Sequence, residues 1–322
     1  MWSPSDLKEA LTRPFIRNVP VAPGHPTSRA LQLDFDELVA MRGRHASFGR
    51  NQRIDGFRFG DLSSRRRGAG LELDSIGPYQ RGDDIRQMDW FATARTGRPQ
   101  VRQFRHDVQQ TIILALDLRP SMMFGSSDQL MAKTACLAAA KIAWSTSNDH
   151  QPLGLLLIGK EEAELVPARR GRRGRLQHLG RIVDAYGNAI LHAGEPSPSL
   201  ADRLEALPGS MSGDVEAVII SDFSQPGGDF DRRLRETGAR GAQSAVIIED
   251  ELMTMPPPTG LYPIRGRSDQ SLATVVIRKR DANVYRTEAD RHRRALAARL
   301  SSLGMRQVLL ADPRSINEGY FK

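Results

Sequence analysis

The sequence predicts an α/β fold built on a doubly wound, mostly parallel sheet, with a helix-plus-strand segment ahead of it. Short apolar runs alternate with stretches of helical periodicity, as crossover connections between parallel strands require. Two of those runs, Thr111 to Leu116 and Val215 to Ser221, stop on an acid, Asp117 and Asp222. Both acids should therefore reach the carboxyl edge of the sheet, where open α/β sheets place ligands.

The elements follow in order. Residues 1 to 33 carry Pro4, Pro14, Pro20, Pro23 and Pro26, which remove backbone donors and favour an extended arm. Asp34 is placed to cap a short helix from Phe35 to about Arg44, with Phe35, Leu38 and Val39 on its apolar face. The basic triplet Arg65, Arg66 and Arg67 reads as a solvated loop. Strands are expected from Leu71 and over Val101 to Phe104, with an Asp-rich loop between them. After the strand ending at Asp117, Ser126 and Gln129 have capping-box spacing for a long helix to about Ser145. Strands at Gly154 to Ile158 and Ala163 to Val166 come next. An arginine loop over Ala168 to Arg175 then leads to a helix from about Leu176 to His192. A short helix, Leu200 to Leu207, precedes the strand that ends at Asp222. A helix from Phe230 to about Thr237, the strand Ser244 to Ile248 and a stretch from Asp250 to Gly266, kept extended by its prolines and expected to wrap a face, follow. The chain closes with the strand Thr274 to Ile277, a basic helix from about Thr287 to Leu303 capped by Gly304, and the strand Gln307 to Leu310.

At 322 residues the chain is long for one core, which predicts an arm (1–33), an N-terminal segment (34–108), a main domain (109–312) and a tail (313–322). The balance of 46 basic against 38 acidic residues, net +8, permits an acidic partner, nucleic acid or an anionic membrane without choosing among them. The one cysteine, Cys136, sits between Ala135 and Leu137 in a helical pattern; it reads as core packing and points to a reducing, cytoplasmic location. The opening residues lack a secretory pattern, and the best apolar window, Ala135 to Trp144, is broken by Lys141.

Two constellations carry chemistry. In Asp117-Leu-Arg-Pro-Ser121 a tight loop can aim an acid and a hydroxyl at one oxygen-loving cation, with Asp222 completing the set through a water. Such a set, Asp117, Ser121 and Asp222, would take Mg2+ or another divalent cation. The second is Tyr79-Gln-Arg-Gly82-Asp83-Asp84-Ile-Arg86-Gln-Met-Asp89-Trp90, with Arg95 beyond it. Its carboxylates Asp83, Asp84 and Asp89, with Arg86 and Arg95, suit a metal or acid/base site. The reading preferred is a salt-bridged clasp between the N-terminal segment and the main domain, with Gly82 supplying a turn and Trp90 a buried anchor.

The strand ending on Asp117, its hydroxyl at Ser121, and the second strand ending on Asp222 resemble the metal-ion-dependent adhesion site of von Willebrand factor A-like domains. With the motif Tyr79, Gly82, Asp83, Asp84, Arg86, Asp89, Trp90 and Arg95, the chain from about Asp34 to Leu310 resembles the MoxR-associated bacterial family of unknown function, domain of unknown function number fifty-eight. The resemblance implies a von Willebrand factor A-like fold. It also implies a MoxR-type AAA+ ATPase as partner, and a role in assembly, maturation or cofactor insertion of a client protein. One position departs from the pattern: Arg119 stands where a ligating serine is wanted. A guanidinium cannot ligate a cation and can instead pair with Asp117 or Asp222, so a metal-free charge cluster is the preferred reading.

Function is thus read as a non-enzymatic protein-interaction module. An enzyme alternative, a metal-dependent phosphoesterase with Asp117 as nucleophile, lacks the second acid two residues on. No phosphate-cradling Gly-rich loop with Lys-Ser or Lys-Thr is present, and the seven histidines lack metal-ligand spacing. Nucleic-acid binding is the third alternative, weakened because the arginine loop has no interleaved aromatic residues for stacking.

Overall fold

The computed structural model describes residues 31–42, 67–80, 84–105, 111–125, 129–145, 151–211, 214–250, 259–265, 272–279 and 281–310. Arg65, Arg66, Gly82, Asp83, Ser126, the prolines at 256–258, most of the arm and the tail lie outside them. The chain forms two compact units, Arg58–Gln110 and the remainder.

Helix α1, Phe35–Ala40, belongs to the larger unit rather than to the motif-bearing segment expected over 34–108. Its buried residue is Leu38, joined by Leu33 and Met41, whereas Phe35 is 39% exposed. The expected apolar face is therefore rotated. Polar anchors account for it: the Trp144 indole N–H donates to Leu38 O at 3.0 Å, the Tyr186 hydroxyl donates to Leu31 O at 3.0 Å, and Lys133 Nζ donates to Gln32 O at 2.6 Å. These bonds lay residues 31–42 along two helices of the larger unit, where burying Leu38 contributes about 2 kcal/mol.

In the smaller unit, β1 (Arg67–Pro78) pairs antiparallel with β2 (Gln100–Arg105). Between them lie a 3-10 turn, Ile85–Gln87, and helix α2, Trp90–Thr96, which ends at Gly97 with φ 67°.

The larger unit is a six-stranded sheet. Its strands are β3 (Thr111–Asp117), β4 (Leu153–Ile158), β5 (Ala163–Arg169), β6 (Val215–Ser221), β7 (Ala242–Ile248) and β10 (Arg306–Leu310), in spatial order β10-β7-β6-β3-β4-β5. Every pairing is parallel except that of the edge strand β5 with β4. Strands β3, β4, β6 and β7 are buried almost throughout, which explains their near-continuous apolar runs.

Helix α3 (Met131–Ser145) and helix α4 (Gly171–Leu191) pack on β3, β4 and β5. The alanines of α3 let it lie close to the sheet, and Cys136 is fully buried there, its thiol pushed above its ordinary range by burial. The short helices α5 (Leu200–Arg203) and α6 (Leu207–Ser210) replace one expected helix. They share a core with helix α7 (Phe230–Arg240), the last turn of helix α8 (Asp281–Ser302), and Ile113, Ala115, Ala217, Ile219, Ala245 and Ile247 of the sheet. Helix α8 starts six residues earlier than expected and ends at Gly304, whose φ of 73° supplies the left-handed cap.

Two further differences bear on function. Residues Gly260–Arg265, read as a Pro-rich wrapping stretch, form strand β8, antiparallel to β9 (Leu272–Ile277). The expected arginine loop is no loop: β5 runs on to Arg169, and α4 begins at Gly171, so Arg172, Arg173 and Arg175 lie in its first turns. Arginine is a good helix former, and Gly174 permits the tight start, because a Cβ there would lie 2.7 Å from the Cβ of Arg169.

Candidate functional site

The carboxyl edge of β3 and β6 gathers a buried polar cluster. Parallel pairing aligns Leu116 with Ile220, so Asp117 and Ser221 end neighbouring strands side by side. The Ser221 hydroxyl donates to Asp117 Oδ2 at 2.6 Å. Arg119, two residues beyond the strand, folds back on Asp117. Its Nε donates to Oδ1 at 3.0 Å and its Nη2 to Oδ2 at 2.8 Å, a bidentate fork, while the Arg119 backbone N–H also donates to Oδ1.

The remaining donors of the guanidinium reach two other loops. Nη1 donates to Pro198 O at 2.8 Å and Nη2 to Ser224 O at 3.1 Å. Arg119 therefore ties the 117–122 turn, the 192–199 loop and the 222–229 loop to one point. The side chains of Asp117 and Arg119 have no solvent exposure, and that of Asp222 has 3%.

Asp222 lies 3.8 Å from Arg119 Nη2 and accepts from the Ser224 N–H at 3.0 Å. Burial raises its pKa, the Asp117 charge adds to that, and the guanidinium only partly opposes it. Burial works against the Arg119 charge, yet the Asp117 carboxylate more than offsets this and holds the guanidinium above its ordinary range. Beyond Asp222 the backbone is strained: Phe223 and Gln225 have φ of 53° and 48°, unusual for residues with side chains. The turn is held because the Phe223 N–H donates to Ser221 Oγ and the Phe223 ring packs edge-on against Phe230. At Gly227, φ 84°, a Cβ would fall 2.7 Å from Ser199 Oγ, so the 199 and 227 loops touch closely.

This geometry does not fit a divalent cation held by Asp117, Ser121 and Asp222. The space between the two carboxylates holds the guanidinium, both Asp117 oxygens are engaged, and a dication shared by the pair would sit against a fixed positive charge. The Ser121 hydroxyl is buried in the turn and has no hydrogen-bond partner among the described residues. Among those residues no group of three or more His, Cys, Asp or Glu side chains is placed to hold a metal ion.

In the second constellation the described residues make their hydrogen bonds within the smaller unit. Asp89 caps α2: its Oδ1 accepts from the Ala92 N–H at 2.9 Å and its Oδ2 from Arg102 Nε at 2.9 Å. The Ala92 N–H and then Arg102 hold its carboxyl below the usual carboxylate range. Asp84 accepts from the Arg86 N–H and opens the 3-10 turn. Trp90 is no buried anchor: it is 68% exposed and Phe91 beside it 81%, because the cap turns Ala92 inward at the first turn. Tyr79 is half-buried, its N–H donating to Pro99 O, and Arg86 and Arg95 are exposed with no ion pair among the described residues. Gly82 and Asp83 lie outside the described residues.

Sequence reasoning missed Ser221, and the signal was available: it precedes Asp222 and aligns with Asp117 once β3 and β6 are neighbours. The Pro198 and Ser224 carbonyls left no trace, since a backbone acceptor can belong to any residue type.

Comparisons with known proteins complete the picture. Residues 75–295 match the family described as "Protein of unknown function DUF58". Uncharacterized proteins of Mycobacterium bovis and Mycobacterium tuberculosis are 33% identical over 227 residues, 70% of this chain and 70% of each of theirs. Among solved structures, an aerotolerance-related membrane protein from Bacteroides fragilis aligns with 65% of this chain and 96% of its own, at 11% identity and a TM-score of 0.39. A conserved hypothetical protein, BatB, from Bacteroides thetaiotaomicron aligns with 65% of this chain and 94% of its own, at 10% identity and a TM-score of 0.41.

Proposed function

The chain belongs to the protein family of unknown function DUF58, and on that premise we propose that it is a non-enzymatic interaction module. In this reading it works with a MoxR-type AAA+ ATPase in the assembly, maturation or cofactor insertion of a client protein, and its α/β unit is a von Willebrand factor A-like domain. The observation that carries the reading is the internally neutralised cluster at the sheet edge. Arg119 satisfies Asp117 and braces three loops, so the edge is a preorganised surface rather than a reactive one.

A nucleophilic role for Asp117 fits poorly with a side chain that is fully buried and engaged at both oxygens. Asp117, Arg119 and Asp222 do not face a partner themselves; they hold the loops that do. The exposed residues of those loops include Gly194, Glu195 and Pro196 on one side and Gly228 and Asp229 on the other. Among the described residues no helix is long and apolar enough to cross a membrane.

The test is an affinity pull-down of the tagged chain from its native cells, with nuclease and moderate salt, followed by mass spectrometry. An AAA+ ATPase should be recovered, and lost with Gly228→Arg, an exposed position where an added Cβ would meet nothing within 4 Å. Asp222→Ala, which frees the Ser224 N–H and loosens the same loop, should weaken recovery as well. Repeated failure to recover any such ATPase would sink the reading.

A further inference from the structure

We propose that the amino end of α4, with the edge strand leading into it, is a docking surface for an acidic segment of a partner protein. The proposal rests on the interaction-module reading and names the chemistry of the partner. Arg169, Arg170, Arg172 and Arg173 are all exposed, and none of them makes an ion pair among the described residues. Elsewhere in the same unit some arginines meet carboxylates: exposed Arg181 pairs with Glu164, exposed Arg232 with Asp229 and Glu236, and half-buried Arg299 with Asp231. Exposed arginines without an ion pair among the described residues also occur singly, at Arg235, Arg278, Arg286 and Arg294; the quartet differs in placing four such cations within five residues.

The quartet also opposes the helix it opens. Helix α4 is 21 residues long, has no acid in its first turn, and takes Arg170 as its N-cap with no side-chain capping bond. Positive charge at that end repels the helix dipole, and the arginines repel one another. The arrangement is unfavourable for the chain alone and becomes favourable when carboxylates lie across it. Beside it, β5 pairs with β4 alone among the described residues, and most of its residues are exposed, Leu165 at 44%. The patch therefore combines charge with an open strand edge.

Charge pattern selects a protein over other polyanions. No aromatic side chain stands among residues 160–178 to stack on a base. Of the exposed glutamates ahead of the quartet, Glu161 pairs with Lys160 and Glu164 with Arg181, and Glu162 remains as a negative charge that would repel a continuous phosphate backbone or an anionic bilayer. A protein segment can place its acids on the quartet and other residues against the glutamates.

The experiment is fluorescence anisotropy on the full chain with a labelled Glu/Asp-rich peptide of about twelve residues, in parallel with a labelled DNA single strand of similar length. Three proteins are compared: wild type, Arg170→Glu/Arg172→Glu/Arg173→Glu, and Arg286→Glu/Arg291→Glu/Arg294→Glu, which changes net charge equally on exposed positions of α8. The peptide should bind wild type, bind the first variant at least about tenfold more weakly, and bind the second within about twofold of wild type. The first variant should melt no lower than wild type, since acids suit that helix end. Failure of wild type to bind the peptide, equal binding by the first variant, or equal loss in the second would overturn the proposal. So would tighter binding of the DNA through the same arginines. An ATPase recovered equally by wild type and the first variant would remove the patch and leave the module reading standing; absence of the ATPase from wild-type pull-downs, with the peptide bound as expected, would do the reverse.

Discussion

Replacing Arg119 by Met keeps much of the side-chain volume and removes the charge that the sheet edge is built on. Asp117 and Asp222 would then face each other, buried, with no cation between them, and the carbonyls of Pro198 and Ser224 would lose their donors. Removing one partner of a buried ion pair costs about 3–5 kcal/mol, because the other charge is left desolvated. For a urea dependence of about 3 kcal/mol per M, that is a midpoint lower by about 1–1.7 M. The loss should shrink as pH falls toward 4, where the stranded carboxylates take up protons more readily in the folded than in the unfolded chain. A second variant, Asp117→Asn/Arg119→Met, should be more stable than Arg119→Met alone, since one of the two stranded charges is gone. Urea denaturation followed by circular dichroism, at pH 7 and pH 4.5, reads all three effects. An Arg119→Met midpoint within about 0.3 M of wild type, or a loss independent of pH, would refute the reasoning.

Other substitutions test separate parts of the account. Because the Asp222 pKa is raised in the fold, its ionisation works against stability, so its favourable contribution is complete below the unfolded value and disappears as pH rises through the folded one. Asp222→Asn should accordingly be at least as stable as wild type at pH 7 and lose that advantage in acid, which melting curves across pH would detect. Asp89 runs the other way: its lowered pKa supports the fold above the unfolded value and stops doing so as pH falls through the folded one, so Asp89→Asn should flatten that acid limb. Trp90→Ala should leave melting within about 0.5 kcal/mol of wild type, because the ring is exposed. Arg172→Glu should stabilise α4 by about 0.5 kcal/mol through the helix dipole, seen as a small rise in the urea midpoint.

Most of the sheet was legible in the sequence because buried parallel strands are written as unbroken apolar runs. The runs ending at Asp117 and Asp222 correctly identified the edge and the two acids. Boundaries failed where charged residues continue an element: Arg169 extends β5 and Arg172 sits in the first turn of α4, yet both read as loop because arginine carries no periodic apolar signal. Strand β8 was hidden by the proline at 263, which a two-stranded ladder tolerates where an inner strand would not. Within the site, Arg119 was recognised as the departure from a cation-binding pattern, and its pairing with Asp117 follows from its chemistry. Its reach to Pro198 and Ser224 depends on loops brought together over 79 and 105 residues of sequence, which no local pattern encodes. Trp90 was misjudged because a tryptophan beside an acid reads as an anchor, whereas the Asp89 cap decides which residue of the first turn faces inward.

The most direct test of the module reading is calorimetric titration of the purified chain with a purified MoxR-type ATPase from the same organism. Wild type should bind, and Gly228→Arg should weaken binding by about tenfold or more with melting unchanged. Equal affinity for the variant, or no heat of binding for wild type across nucleotide states of the ATPase, would contradict the account.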